Sequence, residues 1–169
     1  MRWEPLIIIT LMASVAGLFI LATGRRHRWA GIIVLTYLTG LAVILFTPLS
    51  FSGTGVYIMP PGMGRVNLTH FDLFNLGFAE NIALTLPIGL ALKWLAPKLS
   101  LLGVGAFGLF VGSGIETLQY ILSNHWLINR SSDINDVLAN ALGILIGGMM
   151  VAIYLRLSNK QHTRQRVLA

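Results

Sequence analysis

The chain contains no cysteine, which excludes a disulfide framework and any thiolate metal site. Charge is nearly as scarce. Only 11% of the 169 residues are Asp, Glu, Lys or Arg, and six are acidic; a soluble domain carries about a quarter of its residues as charges. The four histidines (His27, His70, His125 and His162) are scattered over loops and tail, without the spacing of a metal-binding helix such as HExxH. Aromatic residues make up 9% and do not alternate with basic ones. The net charge of +6 is therefore not read as a nucleic-acid surface.

What fills the chain instead is apolar sequence: 55% hydrophobic residues and a mean hydropathy of +0.75. Five long runs stand out, at about 5–23, 30–49, 78–96, 101–122 and 136–157. Each is near the ~20 residues that an ~30 Å hydrocarbon core requires. The expected fold is an all-α membrane protein, a bundle of five transmembrane helices in a single domain, 1–169, with a basic tail at 158–169. A cleavable signal peptide is the rival reading of the first run. The basic cluster Arg25, Arg26 and Arg28 directly after Gly24 fits a retained helix better.

Orientation follows from the basic residues. With five spans, Arg25, Arg26, Arg28, Lys93, Lys98, Arg156, Lys160, Arg164 and Arg166 share one side, nine of the twelve; Arg2, Arg65 and Arg130 share the other. The positive-inside rule places the amino terminus outside and the tail in the cytoplasm. The longest connection, 50–77, is then an outer loop. Gly53, Gly55, Pro60, Pro61, Gly62 and Gly64 make it irregular. Phe71, Phe74 and Phe78 near its end, with Asp72 and Asn75 between them, give 68–78 two readings, a short amphipathic segment at the outer interface that could be helical or a merely apolar connector.

Three runs carry a polar stripe at helical spacing. Asn81, Thr85 and Gly89 form the first. Gly105, Gly108, Gly112, Glu116 and Gln119 form the second, and Asp133, Asp136, Asn140, Gly143 and Gly147 the third. Each set lies on one helix face. Polar side chains in a span are costly unless they face inward, so the three stripes are expected to turn toward one another around a buried acidic site in the outer half of the membrane. Glu116 would lie ~9 Å below the end of its helix, at 1.5 Å per residue. The glycines are expected deeper, with Gly108–Gly112 and Gly143–Gly147 as GxxxG packing pairs.

Competing roles exist for each residue. Glu116 could pair with Arg130 or hydrogen-bond Gln119 or Asn81. Ser131, Ser132 and Asp133 are all credible helix caps, and acids are favourable in a first turn. Pro87 frees the Ala83 carbonyl, and the kink could shape a cavity or only bend the helix. Val111-Gly112-Ser113-Gly114 resembles an intramembrane serine-protease motif but lacks its first glycine. Asn67-Leu68-Thr69 and Asn129-Arg130-Ser131 match the weak glycosylation pattern.

At these residues the chain resembles the VanZ-like family of membrane proteins. Asn81-Ile82-Ala83-Leu84-Thr85-Leu86-Pro87-Ile88-Gly89 is similar to the family's N, apolar run, P-x-G signature. Ser113-Gly114-Ile115-Glu116-Thr117-Leu118-Gln119 is similar to its S-x-x-I-E-x-x-Q helix. Arg130 to Gly143 is similar to its R-x-x-D-x-x-D-x-x-x-N-x-x-G segment. Thr85-Leu86 departs from the bulky or aromatic residues usual before the proline. The resemblance implies a multi-pass protein of the bacterial cytoplasmic membrane, linked to lowered susceptibility to teicoplanin, a lipid-tailed glycopeptide.

The first functional reading is a non-enzymatic envelope protein whose pocket binds a lipid-linked cell-wall precursor, a lipoglycopeptide or another lipid-tailed ligand. Asn81, Thr85, Glu116, Gln119, Arg130, Asp133, Asp136 and Asn140 are its expected ligand-binding residues, with membrane lipids as partners and no cofactor. The second is an intramembrane lipid enzyme. There Glu116 is general acid or base, Asp133 and Asp136 hold a divalent cation and Arg130 holds a phosphate; no activated nucleophile and no complete oxygen cage is evident. The third is an ion-coupled carrier, disfavoured because five spans show no internal repeat, although a homodimer would restore symmetry. The topology is directly testable because the chain lacks cysteine. Met63→Cys is expected to react with an impermeant maleimide on intact cells, and Gln161→Cys only after the membrane is opened; the reverse pattern would invert the assignment.

Overall fold

The computed structural model describes residues 2–23, 26–51, 55–73 and 75–168, with the side chains of Phe51 and of 159–168 outside that description. Gly24, Arg25, Gly53 and Phe74, all used above, lie outside the described residues, as do the side chains of Lys160, Arg164 and Arg166. The elements are α1 (Glu4–Thr23), α2 (Arg28–Phe46), β1 (Leu49–Phe51), β2 (Val56–Ile58), β3 (Val66–Asn67), α3 (Leu76–Leu95), α4 (Leu101–Trp126), β4 (Ser132–Asp133) and α5 (Ile134–Leu168). All five helices are long and apolar enough to cross a membrane. Their apolar side chains point outward in numbers that water would not tolerate. Phe19 is 67% exposed and Phe110 76%; acyl chains are the solvent that suits such a surface.

The chain forms two compact units. One comprises Met1–Asn67 and Glu116–Ser132, the other Leu68–Ile115 and Asp133–Ala169. In the first, α1 packs on α2, with Gly31 set against Ile20. α2 stops at Phe46, three residues before the apolar run ends. Pro48 is the reason: a residue preceding proline is driven out of the helical region, and Thr47 is extended at φ −124° and ψ 168°. β1 and β2 then form an antiparallel hairpin, Leu49 opposite Ile58 and Phe51 opposite Val56.

α4 ends within this unit through left-handed residues. Leu127 (φ 52°) and Asn129 (φ 62°) take conformations that non-glycine residues seldom adopt. They are held there by pairing with the loop. Gly62 N donates to Leu127 O at 3.3 Å, Asn129 N donates to Gly62 O at 2.9 Å, and Ile128 between them is wholly buried.

In the second unit α3 packs closely against α5. A Cβ on Gly89 would collide with the Ile144 carbonyl, one on Gly143 with the Ile82 carbonyl and the Thr85 hydroxyl, and one on Gly147 with the Leu86 carbonyl. The first half of α4 approaches α5 less closely. A Cβ on Gly108 would lie 2.9 Å from Ala141 O, and one on Gly112 2.7 Å from Val137 O. Gly105, expected with them, would meet only Leu145, at 3.9 Å.

The helix ends in this unit are satisfied locally. Asn75 caps α3, its side chain accepting from Phe78 N at 2.8 Å. At the other end Lys93, only 7% exposed, donates to Pro97 O at 2.9 Å and also to Leu99 O. A cation there complements the carboxyl end of α3. Ser100 opens α4, accepting from Gly103 N at 3.0 Å.

Of the two readings of 68–78, the interfacial helix does not form. Among the described residues 68–73 are irregular, and Phe78 belongs to the first turn of α3. The reason lies in Asn135. Its side chain accepts from Asp72 N at 3.1 Å and donates to His70 O at 2.9 Å, taking backbone groups that a local helix would have used.

Gly89→Ala is expected to lower stability by about 1–3 kcal/mol through overpacking of the α3–α5 crossing. Gly40→Ala in α2, where a Cβ meets nothing within 4 Å, should be neutral or stabilising by up to about 1 kcal/mol. Thermal unfolding of the two purified variants checks the contrast.

Candidate functional site

In the second unit the crossing of α3 and α5 carries polar groups as well as glycines. Asp133 caps α5: its carboxylate accepts from Asn135 N at 2.8 Å and from Asn135 Nδ2 at 2.7 Å. Asp136 stands in the first turn of α5, where the helix dipole favours a negative charge. It accepts a hydrogen bond from the Asn81 side chain on α3, and the Asp133 charge acts on it. One turn further along both helices, Thr85 Oγ1 bridges Asn81 O at 2.8 Å and Asn140 O at 3.0 Å. Thr85 and Asn140 are both wholly buried. The Asn140 carboxamide has no hydrogen-bond partner at either Nδ2 or Oδ1.

The expected residues of α3 and α5 are therefore brought together: Asn81 with Asp136, Thr85 with Asn140, and Asp133 at the head of the same helix. Spacing alone predicted the faces, because residues three or four apart on a helix are neighbours. It did not predict that Asp133 would spend its carboxylate on Asn135. Asn135 was not singled out as functional. Its signal was local: an Asp two residues before it, the spacing of a side chain that turns back on its own backbone.

Glu116, Gln119 and Arg130 belong to the first unit. Glu116 and Gln119 are each 5% exposed, and Ser123, one turn beyond Gln119, is fully buried. Gln119 Nε2 donates to Leu45 O at 3.1 Å. Arg130 Nε donates to Thr47 O at 3.2 Å, and its Nη2 donates to Ile44 O and Leu49 O. Thr47 Oγ1 itself donates to Val43 O at 2.7 Å. Three successive carbonyls at the end of α2, those of Val43, Ile44 and Leu45, thus receive side-chain donors where the helix has none of its own to offer.

Arg130 is aimed by Ser123. The serine hydroxyl donates to Arg130 O and accepts from Arg130 N, each at 2.9 Å. Burial draws the guanidinium pKa below its ordinary value, and nearby Tyr57 opposes that shift. The guanidinium donates to three carbonyls and to no carboxylate in these bonds. Sequence spacing offers no route to this arrangement, because the acceptors are backbone atoms more than eighty residues away.

Removing the guanidinium should leave buried carbonyls without donors. Arg130→Ala is expected to destabilise by roughly 1.5–3 kcal/mol, the range for hydrogen bonds to a charged group. Arg130→Lys should recover only part of the loss, since an ammonium cannot reproduce the planar fork. Unfolding midpoints of the two variants against the parent chain test the ranking.

The polar residues of the three stripes fall where a family comparison also places the chain. The profile of the VanZ/LLP1 family matches residues 34–155. Searches of curated proteins and of solved structures return no significant match. The matched region runs from within α2 to near the end of the hydrophobic part of α5, well over half of the sequence. On that match, this five-helix membrane protein belongs to the VanZ/LLP1 family.

Proposed function

We propose that the chain is a non-enzymatic protein of the bacterial cytoplasmic membrane, with its amino terminus outside, that binds a lipid-linked or lipid-tailed ligand. Its physiological effect would be reduced sensitivity to lipid-tailed glycopeptides such as teicoplanin. The observation that carries this reading is the polar set held at the glycine-lined crossing of α3 and α5: Asp136 with Asn81 at the head of α5, and one turn deeper the buried Asn140, whose carboxamide has no hydrogen-bond partner. A carboxylate and amides inside a span are costly unless they have a partner or a task. Membership of the VanZ/LLP1 family supports the link to glycopeptide resistance, and the basic-residue asymmetry supports the orientation.

The geometry favours holding a ligand over reacting with one. Asp133 is occupied as a helix cap, and Arg130 is occupied by α2 carbonyls. In the second unit Asp136 and Asn140 have hydrogen-bonding capacity left for a ligand; in the first, Gln119 Oε1 is buried without a partner. Glu116, buried on α4, is proposed for ligand binding from its position within a span alone.

Expression in a susceptible host is expected to raise the inhibitory concentration of teicoplanin several-fold and to leave that of a glycopeptide without a lipid tail nearly unchanged. Asp136→Asn and Glu116→Gln, each at parental membrane abundance, should return the host to the vector control. Full protection by both variants would overturn the reading.

A further inference from the structure

We infer that Asn140 is a polyol-reading residue, its carboxamide taking two adjacent hydroxyls of an uncharged, sugar-like or glycerol-like head group carried on a lipid. The inference rests on the lipid-ligand reading above and gives that ligand a chemical class. Asn140 is 0% exposed, yet neither polar atom of its side chain is hydrogen-bonded to protein. Its backbone oxygen is taken by Thr85 Oγ1 at 3.0 Å, so the orphan groups belong to the side chain alone. Buried amides are normally paired, and an unpaired one in a fold marks a missing partner.

The chemistry of the carboxamide narrows the partner. Nδ2 presents donors and Oδ1 presents lone pairs, side by side on one planar group. Two neighbouring hydroxyls complement it, one accepting from Nδ2 and the other donating to Oδ1. Asp136 stands one helical turn before Asn140 on the same face, and it offers a further acceptor for the hydroxyl hydrogens that remain. A metal cation would be ligated by oxygen only and leave Nδ2 unpaired. An ammonium group has the same defect. A phosphate would be repelled by the carboxylates of Asp133 and Asp136.

Depth identifies the carrier. Asn140 is six residues into α5 from Ile134, ~9 Å along the axis at 1.5 Å per residue, between helices whose outward faces are apolar. A free polyol would have to leave water to reach it. A polyol attached to acyl chains is already concentrated at that level of the bilayer. Water molecules offer the same donors and acceptors, and the experiment separates the sources.

The full chain is placed in phosphatidylcholine nanodiscs, free of sugar-headed detergent, and its unfolding midpoint is followed as diglucosyldiacylglycerol is added. The expected result is a rise of several degrees for the parent chain and none when free disaccharide is added instead. Asn140→Leu, with the same branching and no orphan groups, should lose the glycolipid response. Asn140→Asp, which keeps the shape but loses the donor, should reduce the response and serves if the leucine variant does not fold. No rise in the parent chain, an equal rise in the Asn140 variants, or an equal rise with free disaccharide would each overturn the proposal. A glycolipid shift without a teicoplanin phenotype leaves the assignment of Asn140 standing and removes the drug reading. A phenotype without a shift does the reverse.

Discussion

The backbone-to-backbone crossing of α3 and α5 is the constraint on which the polar chemistry depends. Gly89, Gly143 and Gly147 each face a backbone carbonyl of the opposite helix so closely that a methyl group would not fit. Lipid gives helices little hydrophobic reason to associate, so close approach through small residues is what holds them. That approach fixes the register of everything above it. Thr85 can reach the Asn140 carbonyl, and Asn81 can reach Asp136, because the two axes come this near. Hydrogen bonds between spans are individually modest, of order 1 kcal/mol. Here they set alignment, while the glycines supply contact.

In the other unit a different problem is solved, and by residues of the same motif. Pro48 cuts α2 short, and the carbonyls of its last turn are left without helical donors. Gln119, Arg130 and Thr47 provide them. A cation at a helix carboxyl end is favoured by the dipole as well as by hydrogen bonding. Ser123 and the strained Leu127–Asn129 turn place Arg130 for this task. Two conspicuous polar residues of the sequence thus have a demonstrable structural occupation, which any account of ligand binding has to share with them.

Much of this was legible beforehand. The five spans followed from hydropathy because each backbone must satisfy its own hydrogen bonds in lipid. The glycine pairs and the polar faces followed from helical spacing. The misread segments share a cause. Residues 68–73 looked amphipathic, but their backbone groups are claimed by Asn135, a side chain more than sixty residues away. α2 looked longer because a run of apolar residues continues past Thr47, and hydropathy does not register the conformational demand of a following proline.

The partition is physical. Periodicity and composition by themselves determined that there are five membrane-length helices, which face of three of them is polar, and where small residues permit close packing, since these depend on residues a few positions apart. Tertiary structure alone decided which polar group meets which. It gave Arg130 to the carbonyls of α2, Asp133 to the cap of α5 and Asn81 to Asp136, and it left the Asn140 carboxamide buried without a protein partner. Such pairings depend on helix crossing and rotation, which are set by the sum of many weak packing contacts and not by any local pattern.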